Sequence, residues 1–266
     1  MDLQLTGKRA VVTGGSKGIG KACALALARE GCDVALIART QADLDAAAAE
    51  IAAATGRTVV GIACDTGSDE SVRGMMRSAV ARLGGVAILV NAAAKPGGQQ
   101  PPPRLAEITD GAFNEDMNVK VLGYLRCARE AAPHMASNGW GRIINISGLA
   151  ARQTGSIIGS MRNVAVAAMT KNLADELGPL GINVTVVHPG LTRTEATAGV
   201  VARRAATQGV AASIVERQMA EGNSVRRLID AGDIAAIVAF LASPLSVAIN
   251  GDAIAAGGGA PRSIHY

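Results

Sequence analysis

The chain has 266 residues, 49% apolar and only 2% aromatic, with a formal charge of +4. That length suits one large α/β domain, and a core so poor in rings has to be built from Ala, Val, Leu and Ile. The charge forms no basic run and the 32 glycines have no period, which argues against nucleic-acid binding and excludes a collagen-like chain.

No stretch approaches the ~20 apolar residues of a membrane span. The opening Met1-Asp2-Leu3-Gln4-Leu5 lacks the charged and apolar regions of a secretion signal. Cys23, Cys32, Cys64 and Cys127 sit in apolar surroundings without a CxxC pair, and read as free buried thiols. The chain therefore reads as soluble and cytoplasmic, with no membrane partner.

In chain order, a strand at Ala10–Thr13 runs into Thr13-Gly14-Gly15-Ser16-Lys17-Gly18-Ile19-Gly20 and then into a helix at Ile19–Glu30. Glycine lets the backbone turn tightly and approach a ligand, and the helix start offers free N–H groups to a pyrophosphate. Further strands are expected at Val34–Ala38, Val59–Ala63, Ile88–Asn91, Arg142–Ser147, Asn183–His188 and Ala253–Ala255. Helices fit between them at Gln41–Thr55, Ser68–Leu83, Asp110–Ala136, Ile157–Gly178 and Ala231–Leu241. Short apolar strands alternating with helices predict an α/β fold, one doubly wound seven-stranded parallel sheet with helices on both faces. Lys95–Pro103, with Gly-Gly and Pro-Pro-Pro, reads as a surface loop. The segment 191–224 shows no strand and only weak helical periodicity. It follows a strand end, where open α/β sheets place ligands, so it is expected to be a substrate lid.

The second strand ends Leu36-Ile37-Ala38-Arg39-Thr40. No carboxylate stands there to accept from a ribose 2′-hydroxyl, and Asp33 is at the wrong end of the strand. Arg39 offers a planar fork for a phosphate, and Lys17 lies on the same side. The pair predicts NADP(H) in preference to NAD(H).

The turn at Gly14–Gly20 has the spacing Gly-x-x-x-Gly-x-Gly and resembles that of the short-chain dehydrogenase/reductase family. The resemblance covers essentially the whole chain and implies a single Rossmann domain over 1–266. Asn91-Ala92-Ala93 resembles the family's Asn-Ala-Gly, which steadies the sheet and lines the cofactor site. Asp65-Thr66 matches the place where an Asp meets the adenine. Pro189-Gly190-Leu191-Thr192 resembles the Pro-Gly segment, with its following Thr, that contacts the nicotinamide end. Gly14, Ser16, Lys17, Gly18, Ile19, Gly20, Arg39 and Thr40 complete the cofactor set. Asn118 matches the family's active-site Asn, which holds a water in a proton relay. The family commonly assembles as homodimers or homotetramers through the helices here at Asp110–Ala136 and Ile157–Gly178.

One departure matters. The family's reaction is carried by a Tyr and a Lys four residues later; the Lys charge lowers the Tyr pKa from about 10. Alignment through Met169-Thr170-Lys171-Asn172 puts Gly159 and Asn163 at those two positions. Tyr124 and Tyr266 are the only tyrosines. Tyr124 reads as packing, and Lys171 lies two helical turns from Asn163. The family's catalytic Ser falls on Gly148, with Ser147 one place early; Ser147 either reaches the site or bonds to backbone. Arg152 and Arg162 are expected to face the cleft, and His188 reads as a packed histidine. No metal-ligand spacing occurs. Three functions remain open: an NADP(H) oxidoreductase lacking the Tyr–Lys pair, a non-redox enzyme on the same scaffold, or an inactive nucleotide-binding sensor or partner subunit.

Overall fold

A computed structural model describes residues 1–94 and 101–261 of the chain. In order they form β1 (Arg9–Thr13), α1 (Gly18–Arg29), β2 (Asp33–Ala38), α2 (Gln41–Thr55), β3 (Val59–Ala63), α3 (Asp69–Leu83) and β4 (Ile88–Asn91). Then come α4 (Asp110–Met117), α5 (Gly123–Ala136), β5 (Gly141–Ile146), α6 (Ile157–Leu177) and β6 (Ile182–Pro189). The chain closes with β7 (Thr192–Arg193), α7 (Thr197–Gln208), α8 (Ala212–Glu221), β8 (Ile229–Asp230), α9 (Ala231–Ala242) and β9 (Ala253–Ala256).

Seven strands make one parallel sheet in the order β3-β2-β1-β4-β5-β6-β9. The order reverses between β1 and β4, the place where such sheets open a crevice for a dinucleotide. The pleat sends alternate side chains to opposite faces. Ala10 and Val12 of β1 join one core with Leu27 of α1, Ile51 of α2 and Val238 of α9. Val11 joins the other, with Met76 of α3, Cys127 and Met135 of α5, and Leu177 of α6. The helices thus cover both faces. The cores are built largely from Ala, Val, Leu and Ile, as the composition requires. All four cysteines are free and buried. No helix among the described residues is long and apolar enough to cross a membrane.

Two stretches differ from the sequence expectation. The helix expected over Asp110–Ala136 is interrupted by a π turn at Asn118–Leu122. A π turn carries an extra residue, and here Lys120 within it points inward and is 3% exposed. The segment 191–224, expected to hold no strand, contains β7, which pairs in parallel with β8 as a second small sheet, and two regular helices. A two-residue strand is too short to show a pattern. The helices hide their period because only Val201 of α7 and Val215 and Met219 of α8 are buried. Those three pack with Leu228 in a small core of their own. Of the loop expected at Lys95–Pro103, residues 95–100 lie outside the described residues.

Candidate active site

The glycine turn is held by contacts that leave no room for a side chain. A Cβ on Gly20 would lie 2.2 Å from the Gly14 carbonyl oxygen, and one on Gly14 would lie 2.8 Å from that of Ala92. Gly14 also has φ +67°, where other residues are strained. Thr13 ties the turn to the end of β4: its Oγ1 accepts from the Ala92 N–H at 3.0 Å and the Ala93 N–H at 3.1 Å. Ile19 packs on the core, and Ser16 is half-buried.

Helix α1 starts without a side-chain cap. Its first N–H groups therefore suit an anion. The Gly18 N–H donates to Glu195 Oε2 at 3.0 Å. Thr194 Cγ2 stands 3.5 Å from where a Gly18 Cβ would be, so residues 194 and 195 cross the glycine turn. Thr194 and Glu195 escape a reading of the sequence. In Leu191-Thr192-Arg193-Thr194-Glu195 they lie beyond the motif that ends at Thr192, and an exposed-looking acid there gives no signal of its own.

On the adenosine side, Arg39 is exposed at the end of β2 and makes no ion pair among the described residues. Lys17 pairs with Asp43 of α2 at 2.9 Å, which holds it beside the turn. Thr40 precedes α2 and is exposed. Asp65 is exposed and its Oδ1 accepts from the Gly67 N–H at 2.9 Å. Two residues expected to touch the cofactor turn inward instead. Thr66 is 6% exposed and donates to the Val119 carbonyl, and Asn91 is fully buried. Asn91 Nδ2 donates to Asn145 Oδ1 at 3.0 Å, and Asn145 Nδ2 donates to Thr170 Oγ1 at 2.9 Å. Asn91 thus joins β4, β5 and α6, and Ala92 and Ala93 are left to line the crevice.

Pro189 ends β6, and Gly190 passes so close to β9 that its Cβ would lie 2.8 Å from Gly257 Cα. The Thr192 hydroxyl donates back to the Gly190 carbonyl at 3.0 Å. A cleft of about 160 Å³ lies here, lined by Leu149, Gln153, Gly190, Met219 and Asn223 among others.

At the reactive end, Asn118 Nδ2 donates to the Gly67 carbonyl at 3.1 Å. The Ser147 hydroxyl, one of the candidate catalytic groups, donates to the Asn163 carbonyl at 3.1 Å. Its proton is committed to helix backbone, one of the two outcomes the sequence leaves open. Gly159 gives its N–H to Ser156 Oγ at the start of α6. Tyr124 is buried and donates to the Ile146 carbonyl, as a packing residue would. Lys171 pairs on the surface with Asp175. The two arginines expected in the cleft are tied elsewhere: Arg162 to Asp116 at 2.5 Å and Arg152 to the Ala253 carbonyl.

Lys120 is the site residue that sequence reasoning misses. Its Nζ donates to Asn163 Oδ1 at 2.9 Å and to the Ser147 carbonyl at 3.0 Å. The available signal is a lone cation inside the apolar run Val119-Lys120-Val121-Leu122, two residues past Asn118. Burial lowers its pKa from the ordinary 10.5 to about 7; the Arg162 charge adds to the fall, and Asp116 opposes it.

This sets a stability trend. Below pH 7 Lys120 is charged in both folded and unfolded states, so the full cost of burying it is felt. Above that, the folded protein has released a proton that the unfolded chain still holds, so stability rises with pH. The slope from this group is at most about 1.4 kcal/mol per pH unit. Further up the thiols act oppositely, because burial raises Cys23 and Cys32 to about 12. Urea melts between about pH 6.5 and 8.5 should show Lys120→Met more stable than wild type at the acid end, the gap closing as pH rises. A gap independent of pH would contradict this.

Known proteins share this fold. The family model described as Enoyl-(Acyl carrier protein) reductase matches residues 14–260. Short-chain reductase protein NovJ of Streptomyces niveus is 35% identical over 253 residues, 95% of this chain and 93% of that protein. Among solved structures, L-sorbose reductase of Gluconobacter frateurii, complexed with NADPH and L-sorbose, superposes with a TM-score of 0.93 at 28% identity, covering 99% of this chain and 100% of that one. YwfH, an NADPH-dependent reductase involved in bacilysin biosynthesis, gives 0.87 at 29% identity, covering 97% and 99%. With its sheet order, its glycine turn and these relatives, the chain belongs to the short-chain dehydrogenase/reductase family.

Proposed function

We propose that this protein binds NADP(H) in preference to NAD(H) and acts as a carbonyl or alcohol oxidoreductase whose active site lacks the usual Tyr–Lys pair, with Gly159 and Asn163 in their places. The observation that carries the cofactor choice is Arg39, exposed and without an ion pair among the described residues at the end of β2; Lys17, in the glycine turn, is held by Asp43 of α2. The uncapped start of α1 would hold the pyrophosphate, and Gly14 and Gly20 let the turn pack tightly enough against Ala92 and α1 to present those N–H groups. Hydride transfer would be the chemistry of the bound nicotinamide. The chain's own residues bind, orient and exclude water; the lid over 191–224 would close on the substrate.

Titration with both nucleotides tests the reading. NADPH should bind at least about tenfold tighter than NADH, and Arg39→Ala should remove most of that difference. Equal affinities in the wild type would overturn it. Glu195 supports a second expectation. Its carboxylate takes the α1 N–H that a phosphate would use, so Glu195→Gln should tighten NADPH binding about two- to fivefold, less at high salt.

A second reading is favoured by Tyr124 and Lys171 being engaged elsewhere. In it the protein is a non-redox enzyme or an inactive NADP(H)-binding sensor or partner subunit. Turnover without a change in nicotinamide absorbance would select the former, and binding without turnover the latter. We also propose a homodimer or homotetramer through α5 and α6: Leu125, Met161 and Val164 on these helices are exposed. Four free buried thiols suit a reducing compartment, the cytoplasm.

A further inference from the structure

The sheet's switch point puts the second half of a bound dinucleotide over the ends of β4, β5 and β6. Lys120 and Asn163 lie beneath the end of β5, each 3% exposed. A buried ammonium costs several kcal/mol unless something recovers it. Among the described residues no carboxylate touches Lys120 Nζ; its two hydrogen-bond partners there are the neutral oxygens of Asn163 and Ser147. The nearby Asp116 is paired with Arg162.

In its charged form Lys120 carries only donors. Its bond to Asn163 therefore fixes which way the amide faces: Oδ1 toward Lys120, Nδ2 away from it. Nδ2 stands 3.0 Å from where a Cβ on Gly148 would be, and Gly148 has none. The two Nδ2 hydrogens thus face the space that the missing side chain leaves, and Nδ2 makes no hydrogen bond among the described residues. Neither residue lines the cleft between β6 and the lid. The ligand that meets Nδ2 is then the one lying along the strand ends, the cofactor, rather than the substrate.

We propose that Asn163 Nδ2 donates to a hydroxyl of the nicotinamide ribose and that Lys120 is the positioning residue that orients and polarises the Asn163 amide. This rests on the NADP(H) reading above. It gives the site a cation brought from the π turn rather than from α6.

The test compares two ligands: NADPH, and 2′,5′-ADP, which keeps the adenosine half and lacks the nicotinamide ribose. In calorimetric titrations, Lys120→Met and Asn163→Ala should each weaken NADPH about tenfold and leave 2′,5′-ADP within about twofold. Loss of both ligands alike would reduce Lys120 to a structural role, and loss of neither would overturn the proposal. Wild type that fails to bind 2′,5′-ADP would instead defeat the NADP(H) reading itself. Should the variants fail to fold, wild type carrying ε-13C-lysine gives the second measurement. The Lys120 resonance should move on adding NADPH and stay still with 2′,5′-ADP; identical responses would overturn the proposal.

Discussion

Gly20→Ala should lower NADPH affinity by at least about 100-fold and melt several degrees below wild type. Helix propensity alone gives the opposite sign, since Ala in a helix is worth about 1 kcal/mol over Gly. The contact decides. A Cβ would stand 2.2 Å from the Gly14 oxygen and 2.7 Å from its carbonyl carbon, both backbone. Relief requires α1 to move off the turn, and overpacking of this kind costs about 1–3 kcal/mol or more. Gly14 cannot give way, because it is wedged against Ala92. Gly232→Ala in α9 is the control. Nothing lies within 4 Å of that Cβ, so it should be neutral or stabilising by up to about 1 kcal/mol. Thermal melts and NADPH titrations of both variants check the pair.

Gly159→Tyr with Asn163→Lys should fail to create a carbonyl reductase until Lys120 is also replaced. The new lysine would replace Oδ1, the acceptor 2.9 Å from Lys120 Nζ, with methylenes and bring a second ammonium close by. Below about pH 7, where Lys120 is charged, two like charges at about 4 Å repel by about 4 kcal/mol at an effective dielectric of 20. The tyrosine adds a smaller cost, since its Cβ would lie 2.7 Å from Ser156 Oγ. Ser156 would have to rotate and give up its cap, worth about 1 kcal/mol. Adding Lys120→Met should restore stability and allow NADPH oxidation across a panel of carbonyl compounds. A double variant as stable and as active as the triple would show that the charge conflict is absent.

The sheet is legible in the sequence because each strand is a short apolar run bounded by turn residues. Six long helices are legible because each buries a regular stripe. The π turn is not, since nothing in Asn118-Val119-Lys120-Val121-Leu122 distinguishes it from an α-helical turn. Helices α7 and α8 are faint because each buries only one or two side chains. At the candidate site, the glycine turn can be read because close backbone approach demands glycine. Lys120 escapes because its partners, Asn163 and the Ser147 carbonyl, lie 43 and 27 residues away. Motif position assigns Asn91 to the cofactor site but does not say which way its side chain turns.

The buried run from Asn91 through Asn145 to Thr170 has one more consequence. Asn91 and Asn145 are direct partners in the β4–β5 register. Slipping either strand by two residues would strand both amides among aliphatic side chains. The run acts as a ruler that keeps the ends of β4 and β5 level with α6. It does so from inside the sheet, without using any residue at the reactive end. Among the described residues the run shares no hydrogen bond with positions 148, 159 and 163, so a change at those positions leaves the frame intact.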